Sequence, residues 1–85
     1  MSISKAAAKK WILAWFAKHA AVKGTIDASE NYFAKGWIDS LSFISFIADL
    51  EEKFDISFSN DEFQNREFST IDGLAGIIEK RTHEK

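Results

Sequence analysis

The 85-residue sequence predicts an all-α fold: a four-helix bundle with a short third helix and a long loop between the first and second helices. Three observations carry this expectation. Apolar residues recur at helical spacing in three segments. An aperiodic stretch rich in turn formers separates the first two of them, and two Ser-x-x-Glu/Asp capping boxes open the last two helices.

The first helix is expected roughly from Ser4 to Val22, because Ala8, Trp11, Ile12, Trp15 and Phe16 form one stripe with Lys10 and Lys18 off it. Lys23-Gly24 ends it. From Thr25 to Asp39 no periodicity is sustained, and Asp27, Ser29, Asn31 and Gly36 mark a loop pinned by Ile26, Tyr32, Phe33 and Trp37. So long a loop in so small a chain usually serves a function. The second helix, Ser40 to Phe54, carries Leu41, Ile44, Ile47, Ala48 and Phe54 as a stripe at helical spacing. Phe43, Phe46 and Leu50 widen that stripe beyond one buried face, so part of the surplus is expected at the surface, and at least one of the two phenylalanines is a candidate docking aromatic. Ser59-x-x-Glu62 opens the short third helix towards Arg66. Ser69-x-x-Asp72 opens a fourth that carries Ile71, Leu74, Ala75, Ile77 and Ile78.

Composition bounds what such a bundle can be. At 46% hydrophobic and 14% aromatic, 85 residues bury one modest core, so residues 1–85 are expected to form a single domain. No cysteine is present, which removes disulfides and thiolate zinc sites, suits a reducing cytoplasm, and leaves only His19 and His83 as imidazole donors. The longest apolar run, Trp11 to Ala17, is seven residues, against the ~20 needed to span a bilayer. Lysines before that run and alanines after it resemble a secretion signal, but Lys18 and His19 cut it at the minimum length, and that reading is set aside. Residues 1–25 hold five lysines and no acid, whereas residues 26–85 hold six basic and 13 acidic residues, a split of +5 and −7. An acidic body disfavours nucleic acid and suits partners with basic patches.

Few residues point to chemistry. Asp39-Ser40 stands where the second helix begins, and the free N–H groups and dipole there favour a phosphate ester on Ser40, although either residue also serves as an ordinary N-cap. No nucleophile and base converge, so no catalytic residue is expected. His19 is read as a partly buried residue near a helix C-terminus and His83 as solvated. Asp49, Glu51, Glu52 and Asp55 lack metal-loop spacing and read as a solvated, partner-facing surface. Trp11, Trp15 and Phe16 are compatible with an interfacial membrane helix, but core packing is the simpler expectation.

Gly36-Trp37-Ile38-Asp39-Ser40-Leu41, followed by Leu50-Glu51-Glu52-Lys53-Phe54-Asp55, resembles the attachment motif and second helix of the acyl carrier proteins. The resemblance extends over residues 26–80 and implies the acyl-carrier bundle. It implies that Ser40 carries covalent 4′-phosphopantetheine, and that Asp39 aids Mg²⁺-dependent transfer from coenzyme A. The partners implied are a phosphopantetheinyl transferase, an acyl-loading ligase or transferase, and downstream acyl-processing enzymes such as those of fatty acid biosynthesis, with the carrier expected as a monomer. The expected docking residues are Leu41, Phe43, Ile44, Glu51 and Glu52, and the expected acyl cleft is lined by Phe46, Leu50, Phe58 and Phe63. Two departures stand out: Ser59 follows Phe58 where the family often has a proline, and Ser42 and Ser45 occupy positions that are acidic in fatty-acid carriers. The Asp55–Thr70 stretch is also longer than in those carriers, and Glu62-Phe63, Arg66 and Phe68-Ser69-Thr70 are similar to elements of D-alanyl carrier proteins. A D-alanyl or aminoacyl cargo is therefore an alternative. An unmodified helical interaction module is the alternative from another class.

Overall fold

In a computed structural model the described residues are 3–19 and 25–83, and they form four α-helices and one 3-10 turn. The helices are α1 Lys5–His19, α2 Ser40–Phe54, α3 Asn60–Phe63 and α4 Ile71–His83, with the 3-10 turn at Arg66–Ser69 between α3 and α4. The all-α expectation holds. The expected end of the first helix at Val22-Lys23-Gly24 lies outside the described residues.

Helix α2 begins and ends at the expected residues. Asp39 is its N-cap, in extended backbone, with its carboxylate accepting from Ser42 N at 2.8 Å. Its C-cap, Asp55, adopts the left-handed conformation with φ 54°, which lets its N–H turn back to Glu51 O. The third helix is shorter than expected: α3 stops at Phe63, and the chain tightens into the separate 3-10 turn at Arg66, capped by Asn65, whose side chain accepts from Glu67 N at 2.9 Å. Ser59 and Glu62 form the expected capping box. For α4 the expected cap is displaced by one residue. Thr70 Oγ1, not Ser69, accepts from Gly73 N at 2.9 Å, because Ser69 belongs to the 3-10 turn, and Asp72 instead pairs with Lys9 at 3.0 Å.

One apolar cluster joins all these elements. Ala8, Ile12, Trp15 and Phe16 of α1 meet Phe46 and Leu50 of α2 and Leu74, Ala75 and Ile78 of α4, with Phe58 and Phe68 closing the α3 end. Trp15 packs on Phe46 at 4.7 Å between ring centroids and donates its indole N–H to Asp49 at 2.8 Å, which satisfies the one polar atom that its burial hides. Trp11 is only half-buried, edge-on to Phe54 at 5.6 Å. His19 is exposed rather than partly buried and stacks on Trp15 at 4.5 Å.

The long loop is stapled down rather than loose. Tyr32 N bonds to Ser69 O at 3.1 Å, Asn31 forms an antiparallel bridge with Thr70, and Asp72 N bonds to Ala28 O at 2.9 Å. Tyr32 is fully buried, donates its hydroxyl to Phe68 O, and has its phenol pKa pushed up by that burial. Of the four expected loop anchors, Tyr32 is buried, Ile26 and Trp37 are half-buried, and Phe33 faces solvent; Ile38, at 6% exposure, takes the place expected of Phe33. Phe33 follows Tyr32 directly, and the turn that buries one ring points the other outwards.

Candidate functional site

The start of α2 is where the loop delivers its last turn. Gly36 has φ +71°, a conformation open to glycine and strained for other residues, and Trp37 N then reaches Tyr32 O at 3.0 Å. That turn places Ile38 in the core and leaves Asp39, Ser40 and Leu41 exposed.

Ser40 is the first residue of α2, and its hydroxyl has no hydrogen-bond partner among the described residues. The carboxylate of Asp39 is spoken for by the helix: bonds donated by Ser42, backbone first, hold its pKa below the ordinary 3.8. Phe43 N bonds to Asp39 O at 2.9 Å, so the helix ladder starts at Asp39 while the N–H groups of Ser40 and Leu41 precede it. An uncommitted hydroxyl on exposed backbone at a positively polarised helix end fits a bulky phosphate ester, which needs room for its arm and donors for its oxygens.

The outward face of α2 runs through Leu41, Ile44, Ser45, Ala48 and Glu52, at helical spacing, all exposed. Leu41 is 79% exposed and Ile44 66%, so these two large apolar side chains lie outside the core. Both belong to the expected apolar stripe and to the expected docking residues, and their exposure puts them outside the core, as it does Ala48; of that stripe Ile47 and Phe54 are buried, and Phe46 and Leu50 complete the buried side. Phe43 is half-buried and tucks between Phe33 and Phe63, at 4.8 Å and 6.5 Å. Of the two acids expected on this face, Glu52 is exposed. Glu51 is turned to a structural task, accepting from Phe58 N at 2.8 Å.

An open groove of about 320 Å³ lies between α2 and α3, lined by Phe43, Ile44, Ile47, Ala48, Glu51 and Phe63. Its lining corrects the expected one. Phe46 and Leu50 are fully buried in the core, Phe58 is 9% exposed against Phe63 and Phe68, and of the four expected residues Phe63 alone lines the groove. Helical phase explains the difference: Phe43, Ile44, Ile47, Ala48 and Glu51 share one side of α2, whereas Phe46 lies more than a quarter-turn from its middle and Leu50 lies on its core-facing edge, in phase with Phe43, towards α1 and α4. Ile47 and Ala48, read from the sequence as members of the α2 stripe, were not singled out as site residues.

Among the described residues no cluster of three or more His, Asp or Glu side chains is placed to hold a metal ion, and no helix is long and apolar enough to cross a membrane. A small helical bundle that offers one free hydroxyl at the start of its second helix, beside an apolar contact face, defines a carrier-type domain. Residues 10–78 match the family model described as "Phosphopantetheine attachment site", and the chain belongs to that family, the acyl carrier proteins, which bear covalently attached 4′-phosphopantetheine. The chain is similar to an acyl carrier protein homolog of Mycoplasmopsis pulmonis (strain UAB CTIP), 32% identical over 76 residues that cover 89% of this chain and 97% of that one. No solved structure matches the chain.

Proposed function

We propose that the chain acts as a single carrier domain that bears 4′-phosphopantetheine on Ser40 and presents acyl groups to partner enzymes of the cytoplasm. The observation that carries this reading is the exposed, unpartnered Ser40 hydroxyl at the first residue of α2. Ser40 Oγ would supply the ester oxygen, and the N–H groups opening α2 would be available to its phosphate. Asp39, kept ionised by the bonds from Ser42, would offer an anion to a Mg²⁺ ion during transfer. The bound group supplies a thiol, which holds cargo as a thioester.

Leu41, Ile44 and Glu52, with half-buried Phe43, form the face on which the phosphopantetheinyl transferase and loading enzymes dock. The groove bounded by Phe43, Ile47 and Phe63 opens beside that face and suits an acyl chain. The 32% identical relative supports an acyl cargo. Of the residues similar to D-alanyl carriers, Glu62 caps α3 and pairs with Arg81, Phe68 is buried and Thr70 caps α4, whereas Phe63 lines the groove and Arg66 is exposed. A D-alanyl or aminoacyl cargo is the second reading.

Incubation with coenzyme A and a phosphopantetheinyl transferase, read by intact mass, tests the reading. The wild-type chain gains one phosphopantetheine and Ser40→Ala gains none while keeping its helical spectrum. Modification of the variant, or transfer to Ser42 or Ser45, overturns the assignment. No modification of the wild-type chain favours the interaction-module alternative. Loading the modified chain with malonyl, fatty acyl and D-alanyl donors then identifies the cargo class.

A further inference from the structure

Helix α1 is apolar on two sides. Ala8, Ile12, Trp15 and Phe16 face the core, and a second stripe, Ala7, Trp11 and Ala14, follows helical spacing along a different face, with Ile3 just ahead of the helix. That second stripe forms one side of an open groove of about 480 Å³ whose other side is Phe54 and Lys53 at the end of α2. Phe54 holds Trp11 edge-on at 5.6 Å, so the groove has an aromatic wall, and the alanines leave it a low floor.

The charges at this groove are all of one sign. Lys10 and Lys53 line it and no acid does. Neither lysine has a carboxylate within ion-pair distance among the described residues, whereas Lys9, one position from Lys10, is paired with Asp72 and Lys35 with Glu30. In a chain of net charge −2, two unpaired cations gathered over an apolar trough are a local reversal of the global sign. A volume within the ~300–1,000 Å³ range of small-molecule sites, a mostly apolar lining and a few like-charged polar groups are the features of a ligand groove.

We infer that this groove binds a single-chain anionic amphiphile, a straight hydrocarbon ending in a carboxylate or phosphate. The tail lies along Ala7, Trp11, Ala14 and Phe54, and the head group sits between Lys10 and Lys53. A concave, alanine-floored trough favours one chain over a bilayer surface, because the large apolar side chains that protrude among the described residues, Phe33, Leu41, Ile44 and Phe63, all lie elsewhere. The site is separate from the Ser40 region: α2 spans the 15 residues between them, ~21 Å at 1.5 Å per residue. An amphiphile here leaves the α2–α3 groove free.

The test is a titration of the ¹⁵N-labelled full chain with monomeric sodium dodecanoate, followed by amide shifts. Saturable shifts at Ala7, Trp11, Ala14 and Lys53 are expected, with dodecyltrimethylammonium, the same tail under a cationic head, binding at least tenfold more weakly. Lys10→Glu combined with Lys53→Glu weakens dodecanoate at least tenfold and leaves the helical spectrum unchanged; either single variant shows a smaller loss should the pair disturb folding. Equal affinity for the two head groups overturns the inference. So do shifts confined to Phe43, Ile44 and Phe63. Co-sedimentation with phosphatidylglycerol vesicles without saturable dodecanoate binding also overturns it and reassigns the face to a membrane surface.

Discussion

Asp39 has two tasks that one charge serves, and they can be separated. As N-cap it accepts from Ser42 N, and as an ionised carboxylate it stands beside the proposed attachment oxygen. Because its folded-state pKa lies below the ordinary 3.8, ionisation favours the folded state; that contribution is complete above the unfolded value and is lost as pH falls through the lower folded one. Asp39→Asn keeps a capping oxygen and removes the titration, so acid unfolding followed by circular dichroism loses part of its slope below about pH 4. The same variant is expected to accept phosphopantetheine more slowly at neutral pH, where its fold is intact. Asp39→Ser, which caps without charge, should do the same; a normal rate in both variants would remove Asp39 from the transfer. Glu51 and Glu52 part company at this scale too. Reversing Glu52 is expected to slow modification in a salt-dependent way, since the residue is exposed, whereas reversing Glu51 breaks its bond to Phe58 N and lowers stability first.

Among the elements, the short α3 owes its place to few bonds. Ser59 and Glu62 cap its start reciprocally, and Glu62 also receives Arg81, whose other amine donates to Ser57 O at 2.8 Å. Ser59→Ala is expected to cost ~1 kcal/mol, the usual loss of a cap. Glu62→Ala should cost more, roughly 1.5–3 kcal/mol, because a charged hydrogen bond goes with the cap. Chemical denaturation measures both, and a double-mutant cycle with Arg81→Ala should show clear non-additivity. The junction of the 3-10 turn with α4 is tighter. A Cβ on Gly73 would stand 2.2 Å from Glu67 O, a backbone atom that cannot swing aside, so Gly73→Ala is expected to destabilise by about 2–3 kcal/mol, visible as a lowered melting temperature. The groove beside α3 should widen in both variants, which links the capping of this small helix to the space proposed for cargo.

Across the whole molecule, burial divides α2 into a half that holds the fold and an exposed half proposed to meet partners. Leu50→Ala empties a fully buried position shared by α1, α2 and α4 and is expected to cost roughly 2–5 kcal/mol. Leu41→Ala and Ile44→Ala, at 79% and 66% exposure, should change stability by less than about 0.5 kcal/mol yet slow modification and loading. Equilibrium unfolding beside transfer rates makes the comparison, and a stability loss at Leu41 matching that at Leu50 would refute the division.

The division between what sequence and tertiary structure decide runs along the range of the interactions. Local rules settled the all-α class, the bounds of α2 at Ser40 and Phe54, the Ser59–Glu62 box and the loop that ends at Asp39, since caps, glycine turns and apolar period act within a few residues. The candidate site at Ser40 was legible through the resemblance of Gly36–Leu41 to the carrier attachment motif, since the local rules by themselves fit an ordinary N-cap there equally well. Which side of α2 is buried was not, because so many of its positions are apolar that several phases satisfy a helical stripe. Only the placement of α1 and α4 selects Phe46, Ile47 and Leu50 for the core and leaves Leu41 and Ile44 outside. The break between α3 and the 3-10 turn, the capping of α4 by Thr70 and the second apolar face of α1 likewise depend on contacts between residues far apart in the chain. Side-chain burial is a property of what packs against a helix, and no helix carries that information alone.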